Sequence, residues 1–241
     1  MSAAVAHCGR ILAEAYDRRV PLLISDDAGA RAVLYAAAAV AVGGEVVATY
    51  VGQAAEARGT RLGRLRLLGD SLLQTTLLRS RGETSTDRGT KRVLVICVLG
   101  GLVAAVAIAK DVPSLRVAAN TWSTLVLGVA LATAGVALRI CAVASLGRFF
   151  QRDVVIQEGH IVWRGGPYRW IRHPAYAGNL LSYFGLGLAI GSWVGALVLL
   201  AIAFAGHVPR IRVEEGELTR ALGDSYRDYA AVTARLVPGV W

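Results

Sequence analysis

From Gly178 to Gly206 the chain carries no charged residue, and this run limits what the molecule can become. As one α-helix it would be about 44 Å long at ~1.5 Å per residue, against a hydrocarbon core of about 30 Å. Gly191-Ser192 falls near its middle, so the run predicts two antiparallel helices in a hairpin with that pair at the turn. Gly187, Gly191 and Gly195 offer another reading, close helix packing within one tilted span. A hairpin has a direct consequence: the segments before and after it become spatial neighbours.

The rest of the composition agrees with a membrane protein. The hydrophobic fraction is 55% and the mean hydropathy +0.50, with the excess gathered in blocks. The net charge of +9 comes from arginines between those blocks. Arginines that flank apolar spans answer to the positive-inside rule and to anionic headgroups, which argues against nucleic-acid binding. Cys8, Cys97 and Cys141 are far apart and form no CxxC pair, so neither a disulfide framework nor a metal site is expected. The first thirty residues are broken by charges and show no apolar core of a signal peptide.

Residues 3–24 read as a short surface or interfacial helix. Val33 to Val51 is long enough to span, with Glu45 either in a polar contact inside the bundle or near an interface. Residues 55–92 hold nine Lys/Arg against four Asp/Glu, with Leu62, Leu65, Leu68, Leu72 and Leu73 at helical spacing. That pattern predicts a basic amphipathic helix on a membrane surface, followed by a polar loop from Gly82 to Gly89. Further spans are expected at Val93–Ala109 and Thr121–Val143, with Arg139 near one end, its stem snorkelling. The fold expected is all-α, an integral membrane helical bundle of about five transmembrane helices ending in the hairpin. The basic segments 55–92, 143–177 and the tail then share the cytoplasmic side, where the loops and helices that bind a cofactor would lie.

Two polar segments flank the hairpin. In the first, Gly165-Gly166-Pro167 marks a turn and Pro174 forces His173 out of the helical region, so that it projects from a loop. In the second, Pro209 predicts a new helix over 210–222, ended by Gly223, with a short helix carrying Tyr226 and Tyr229. Arg210 and Glu214 are four apart and share a face, which by itself describes an ordinary solvated ion pair. The hairpin places this pair beside Tyr168–Tyr176.

Gly166-Pro167-Tyr168, then Arg172-His173-Pro174-Ala175-Tyr176-Ala177-Gly178, the apolar hairpin, and Glu214-Glu215 with Leu218, Gly223, Tyr226 and Tyr229 resemble the isoprenylcysteine carboxyl methyltransferases. The likeness covers residues 145–241. It is shared more loosely with phospholipid N-methyltransferases and with NADPH-dependent sterol reductases, which remain alternatives. The resemblance implies an integral-membrane enzyme that moves a methyl group from S-adenosylmethionine to an isoprenylated cysteine or similar lipid-borne carboxylate. It further implies that His160, Ile161, Val162, Trp163, Tyr168, His173, Pro174, Ala175, Tyr176 and Glu214 line the cofactor site, and that Arg210 meets the substrate carboxylate. The polar residue that the family uses shortly before the His160 position has two candidates here, Gln151 and Asp153. On this reading 1–90 is an N-terminal region and 91–241 the methyltransferase core, with membrane lipids as surroundings.

Overall fold

The computed structural model describes residues 89–112, 121–146, 162–239 and 241. The expected span at 33–51 with Glu45, the interfacial helix at 3–24, most of the basic segment, Gln151, Asp153, His160 and Ile161 lie outside the described residues. Among the described residues the structure is helical, with one isolated parallel bridge between Ile171 and Ala234. The helices are α1 (Thr90–Asp111), α2 (Thr121–Leu146), α3 (Pro174–Ala189), α4 (Trp193–Leu222) and α5 (Asp224–Val232). A 3-10 turn at Gly166–Arg169 precedes α3.

Three of these helices are long and apolar enough to cross a membrane: α1, α2 and α4. The protein is accordingly an integral membrane protein. On α1, Ile96 and Val103 are each 69% exposed, which is the face a bilayer would cover. α3 has 16 residues, about 24 Å by its rise, and is not among the three. The hairpin expected from the charge-free run is present. Gly191 adopts φ 100 at the turn, where a side chain would be strained, and the Ser192 hydroxyl accepts the Gly195 amide at 3.0 Å to start α4.

The helices pack in the order α1, α4, α3, α2, and glycine makes the closest contacts. A Cβ on Gly135 would sit 2.4 Å from the Gly178 carbonyl oxygen, and one on Gly178 would sit 2.6 Å from the Gly135 oxygen. Gly185 faces Ala132 and Gly128 in the same manner, and the Ser182 hydroxyl donates across to the Ala132 carbonyl at 3.1 Å. Small residues let two backbones approach where lipid offers no hydrophobic drive for helix association. Of the glycines read as a four-residue pattern, Gly187 packs on Ala196 across the hairpin, Gly195 on Ala105 of α1, and Gly191 makes the turn.

Two expectations need correction. Pro209 does not start a helix: α4 runs through it without a break. A proline removes one backbone bond, yet Ala203, Gly206, His207, Arg210 and Ile211 on both sides are buried, and that packing holds the turn together. Arg139 lies deeper in its helix than expected. α2 continues for about two more turns, to Leu146, and the Arg139 backbone packs on Gly178 with its guanidinium acting on Tyr168.

Candidate functional site

The hairpin returns the chain so that Tyr176, near the start of α3, meets Arg210 and Glu214 on α4. The Tyr176 hydroxyl donates to Glu214 Oε2 at 2.8 Å and accepts from Arg210 Nε at 2.9 Å. Arg210 and Glu214 are therefore joined through a phenol. Arg210 is only 7% exposed, so the pair is no solvated surface bridge. The Nε bond fixes the plane of the guanidinium, and the Glu214 side chain stays 31% exposed.

His173 caps α3 at φ −123, outside the helical region as Pro174 requires. Its side chain does not project into solvent. It is 4% exposed, stacked on Tyr176 with ring centroids 5.5 Å apart, and held by carboxylates. Nε2 lies 3.3 Å from Glu215 Oε1 and Nδ1 lies 3.9 Å from Glu214 Oε2. Two acidic neighbours and a tyrosine face offset the cost of burying the imidazole.

Glu215 anchors a second network. Arg172 Nε and Arg235 Nε each donate to it at 2.9 Å, one to each oxygen. Arg172 also donates to the carbonyls of Ala230, at 2.6 Å, and of Thr233. Beside it the backbone amides of Arg172 and His173 bond to the carbonyls of Ala234 and Arg235 at 2.8 and 3.0 Å. The segment after α5 is thus tied along the segment before α3. Tyr229, on α5, donates to the Tyr168 carbonyl at 2.6 Å.

Tyr168 is buried against Ala142 and Ala175, and burial, aided by the Glu214 charge, holds its phenol well above the ordinary tyrosine range. Tyr229 is pushed up to about 12 by burial, against the opposing charge of Arg172. The hydroxyl of Tyr226 is buried with no hydrogen-bond partner among the described residues, and burial and the charges of Glu215 and Glu214 push it up as well.

Of the residues singled out in the sequence, Tyr168, His173, Pro174, Ala175, Tyr176, Arg210 and Glu214 come together. Pro174 and Ala175 are the buried first turn of α3. Val162 and Trp163 precede the 3-10 turn; Trp163 is 37% exposed and its indole lies over Gly165, outside the hydrogen-bonded cluster. Sequence reasoning missed Arg235 and the anchoring role of Glu215, which no local spacing announces. It also missed His207, a lone ionisable side chain just past the charge-free run. That position was the available signal.

Among the described residues the fold is all-helical, with three helices long and apolar enough to cross a membrane. A solved structure of the eukaryotic intramembrane Ras methyltransferase ICMT shares that fold, with TM-score 0.51 and 19% identity over 80% of this chain and 73% of that one. Residues 125–220 match the model of the isoprenylcysteine carboxyl methyltransferase (ICMT) family, so the resemblance drawn from the motifs holds. The Methanethiol S-methyltransferase of Mycobacterium tuberculosis is 30% identical over 95 residues, 34% of this chain and 37% of that protein. Protein-S-isoprenylcysteine O-methyltransferase A of Arabidopsis thaliana is 30% identical over 121 residues, 49% of this chain and 61% of that protein. The Schizosaccharomyces pombe Protein-S-isoprenylcysteine O-methyltransferase is 30% identical over 94 residues, 38% and 40%. The chain thus spans between 37% and 61% of the length of these relatives.

Proposed function

We propose that the protein is an S-adenosylmethionine-dependent carboxyl O-methyltransferase acting on an isoprenylated cysteine, or a similar lipid-borne carboxylate, at the cytoplasmic side of the membrane. The observation that carries this reading is the buried Arg210–Tyr176–Glu214 chain. It puts a fixed guanidinium and a partly open carboxylate a few ångströms apart, joined by one phenol. The proposed topology has five spans: one over 33–51, then α1, α2, α3 and α4, with 1–90 preceding the methyltransferase core.

The residues present fit the cofactor. S-adenosylmethionine carries a cationic amino group, a sulfonium and an aromatic base, and when bound it supplies an electrophilic methyl group. Glu214 can take the amino group. Tyr168 and Tyr176 would border the site, and the unpartnered Tyr226 hydroxyl is a further polar contact. His160, Ile161, Val162, Trp163, His173, Pro174 and Ala175 are proposed to line the rest of the cofactor site.

Arg210 would hold the acceptor carboxylate in a two-pronged contact. A carboxylate is already ionised at neutral pH, so the chain need supply no base. Its task is alignment, which alone lowers a barrier by roughly 7–11 kcal/mol in well-oriented cases. On this reading the prenyl chain would enter from the bilayer between helices, with its charged end at Arg210.

Labelled S-adenosylmethionine offered with a farnesyl-cysteine analogue, a phospholipid amine and a lipophilic thiol tests the reading. Label should appear as a base-labile ester on the first. Label found only on the amine or the thiol refutes carboxyl transfer, and absence of cofactor binding in every detergent refutes the methyltransferase reading. NADPH binding would favour the reductase alternative.

A further inference from the structure

The chain beyond α5 returns to the membrane part of α4. Phe204 is an exposed residue of α4 inside the charge-free run, six residues before Arg210, or about 9 Å by the helical rise. A side chain exposed at that depth faces acyl chains. The Trp241 ring meets the Phe204 ring edge-on, with centroids 5.3 Å apart. Backbone bonds pin the tail at the same level. The Trp241 amide donates to the Val237 carbonyl at 3.2 Å, and the Leu236 and Val237 amides donate to the Trp241 carbonyl at 3.0 and 3.3 Å. Leu236 is buried with Leu180, Ala203 and Ile211, while Val237 beside it is 51% exposed.

A few residues earlier the tail runs along the segment before α3. The Ala234 amide donates to the Trp170 carbonyl at 3.2 Å, and Ala234 bridges Ile171. Trp170 is 56% exposed, with the Arg169 guanidinium 3.9 Å from its ring centroid. Val232, at the end of α5, is 78% exposed. These residues form one connected strip. A single exposed apolar side chain is ordinary on any protein. This strip is continuous with the part of α4 that lipid covers, and indole rings concentrate at headgroup level in membrane proteins. Its charge has one sign. Residues 162–173 and 229–241 contain Arg164, Arg169, Arg172 and Arg235 and neither Asp nor Glu. Arg172 and Arg235 are bound to Glu215, whereas Arg164 and Arg169 are exposed.

We infer that this strip is a lipid-binding surface: Trp170, Val232 and Val237 seat in the headgroup layer, and Arg164 and Arg169 meet anionic headgroups. The tail that brings Arg235 to Glu215 is then held from two sides, by a carboxylate within the protein and by lipid outside it. A ligand that binds only the closed arrangement favours it, so an anionic membrane surface tightens the polar cluster. None of this depends on which acceptor is methylated.

Two measurements on the protein in lipid nanodiscs test the surface. The emission of Trp170, taken as the difference between the unaltered protein and Trp170→Phe, should be quenched by lipids brominated on the acyl carbons nearest the headgroup. Lipids brominated near the chain end should quench it much less. Emission typical of indole in water, quenched by neither lipid, overturns the inference. Blue-shifted emission quenched by neither also overturns it, because another protein surface, such as a second copy of this chain, would then cover the strip. The second measurement is the rate of trypsin cleavage after Arg235. It should slow by about threefold or more when phosphatidylcholine is replaced by phosphatidylglycerol. The double variant Arg164→Gln/Arg169→Gln in the same discs controls for any effect of the lipid on trypsin, and it should lose most of this protection. Equal rates in the two lipids, or protection undiminished in the double variant, overturns the inference.

Discussion

Tyr176 is the residue on which the polar cluster turns. Its ring lies between two imidazoles and its hydroxyl joins a cation to an anion. Tyr176→Phe keeps the rings packed and removes only the hydroxyl, so cofactor affinity and turnover should both fall while the thermal midpoint moves little. Isothermal titration beside turnover assays separates these effects. Arg210→Ala should cut kcat/KM by about 100-fold or more, ~2.7 kcal/mol, and leave much of the cofactor affinity. Turnover that persists would remove Arg210 from its assigned place. Tyr229 gives a pH signature. Its folded pKa of about 12 exceeds the free value of 10.0, so its contribution is complete below pH 10. Above that the unfolded chain ionises first, and stability should decline between pH 10 and 12. A denaturation series over that range should show the decline weakened in Tyr229→Phe. His173 was legible from Pro174 as a residue outside the helical region. Its burial was not, because the carboxylates that permit it come from 41 and 42 positions downstream, at Glu214 and Glu215.

At the scale of elements, the hairpin was legible because its evidence is local: a charge-free run too long for one crossing and a Gly-Ser pair in the middle. The seam between α2 and α3 was not. Gly128 and Gly135 mean little until Gly185 and Gly178 are seen opposite them, and the two sets belong to separate helices. Pro209 misled for a related reason. A proline signals a break in an isolated helix, while the burial that overrides it is a tertiary fact. The seam predicts a contrast between glycines. Gly185→Leu forces a side chain into the backbone of α2, and overpacking of that kind costs about 1–3 kcal/mol or more. A methyl group added at Gly216 would meet nothing within 4 Å, so Gly216→Ala in α4 should stabilise by up to about 1 kcal/mol. Thermal unfolding in detergent measures both. A tolerated Gly185→Leu would mean that α2 and α3 do not lie so close.

On the scale of the molecule, the latch around Glu215 joins the segment before the hairpin to the segment after α5. Glu215→Gln leaves the cations of Arg172 and Arg235 without their anion, and removing one partner of a buried pair costs about 3–5 kcal/mol. The half-exposed Arg235 places the actual value at or below the low end. The segment around Arg235 should then open, and limited trypsin digestion should cut there in the variant before it cuts the unaltered protein. The same latch has a bearing on when the protein becomes competent during its synthesis. The long-range hydrogen bonds that fix Arg172 and His173 come from residues 42 to 62 positions later: Glu215, Ala230, Thr233, Ala234 and Arg235. The membrane helices can be threaded into the bilayer one after another as they emerge, but the polar cluster has to wait until Arg235 has left the ribosome. A ribosome stalled before that point would hold an inserted protein with an unfinished centre.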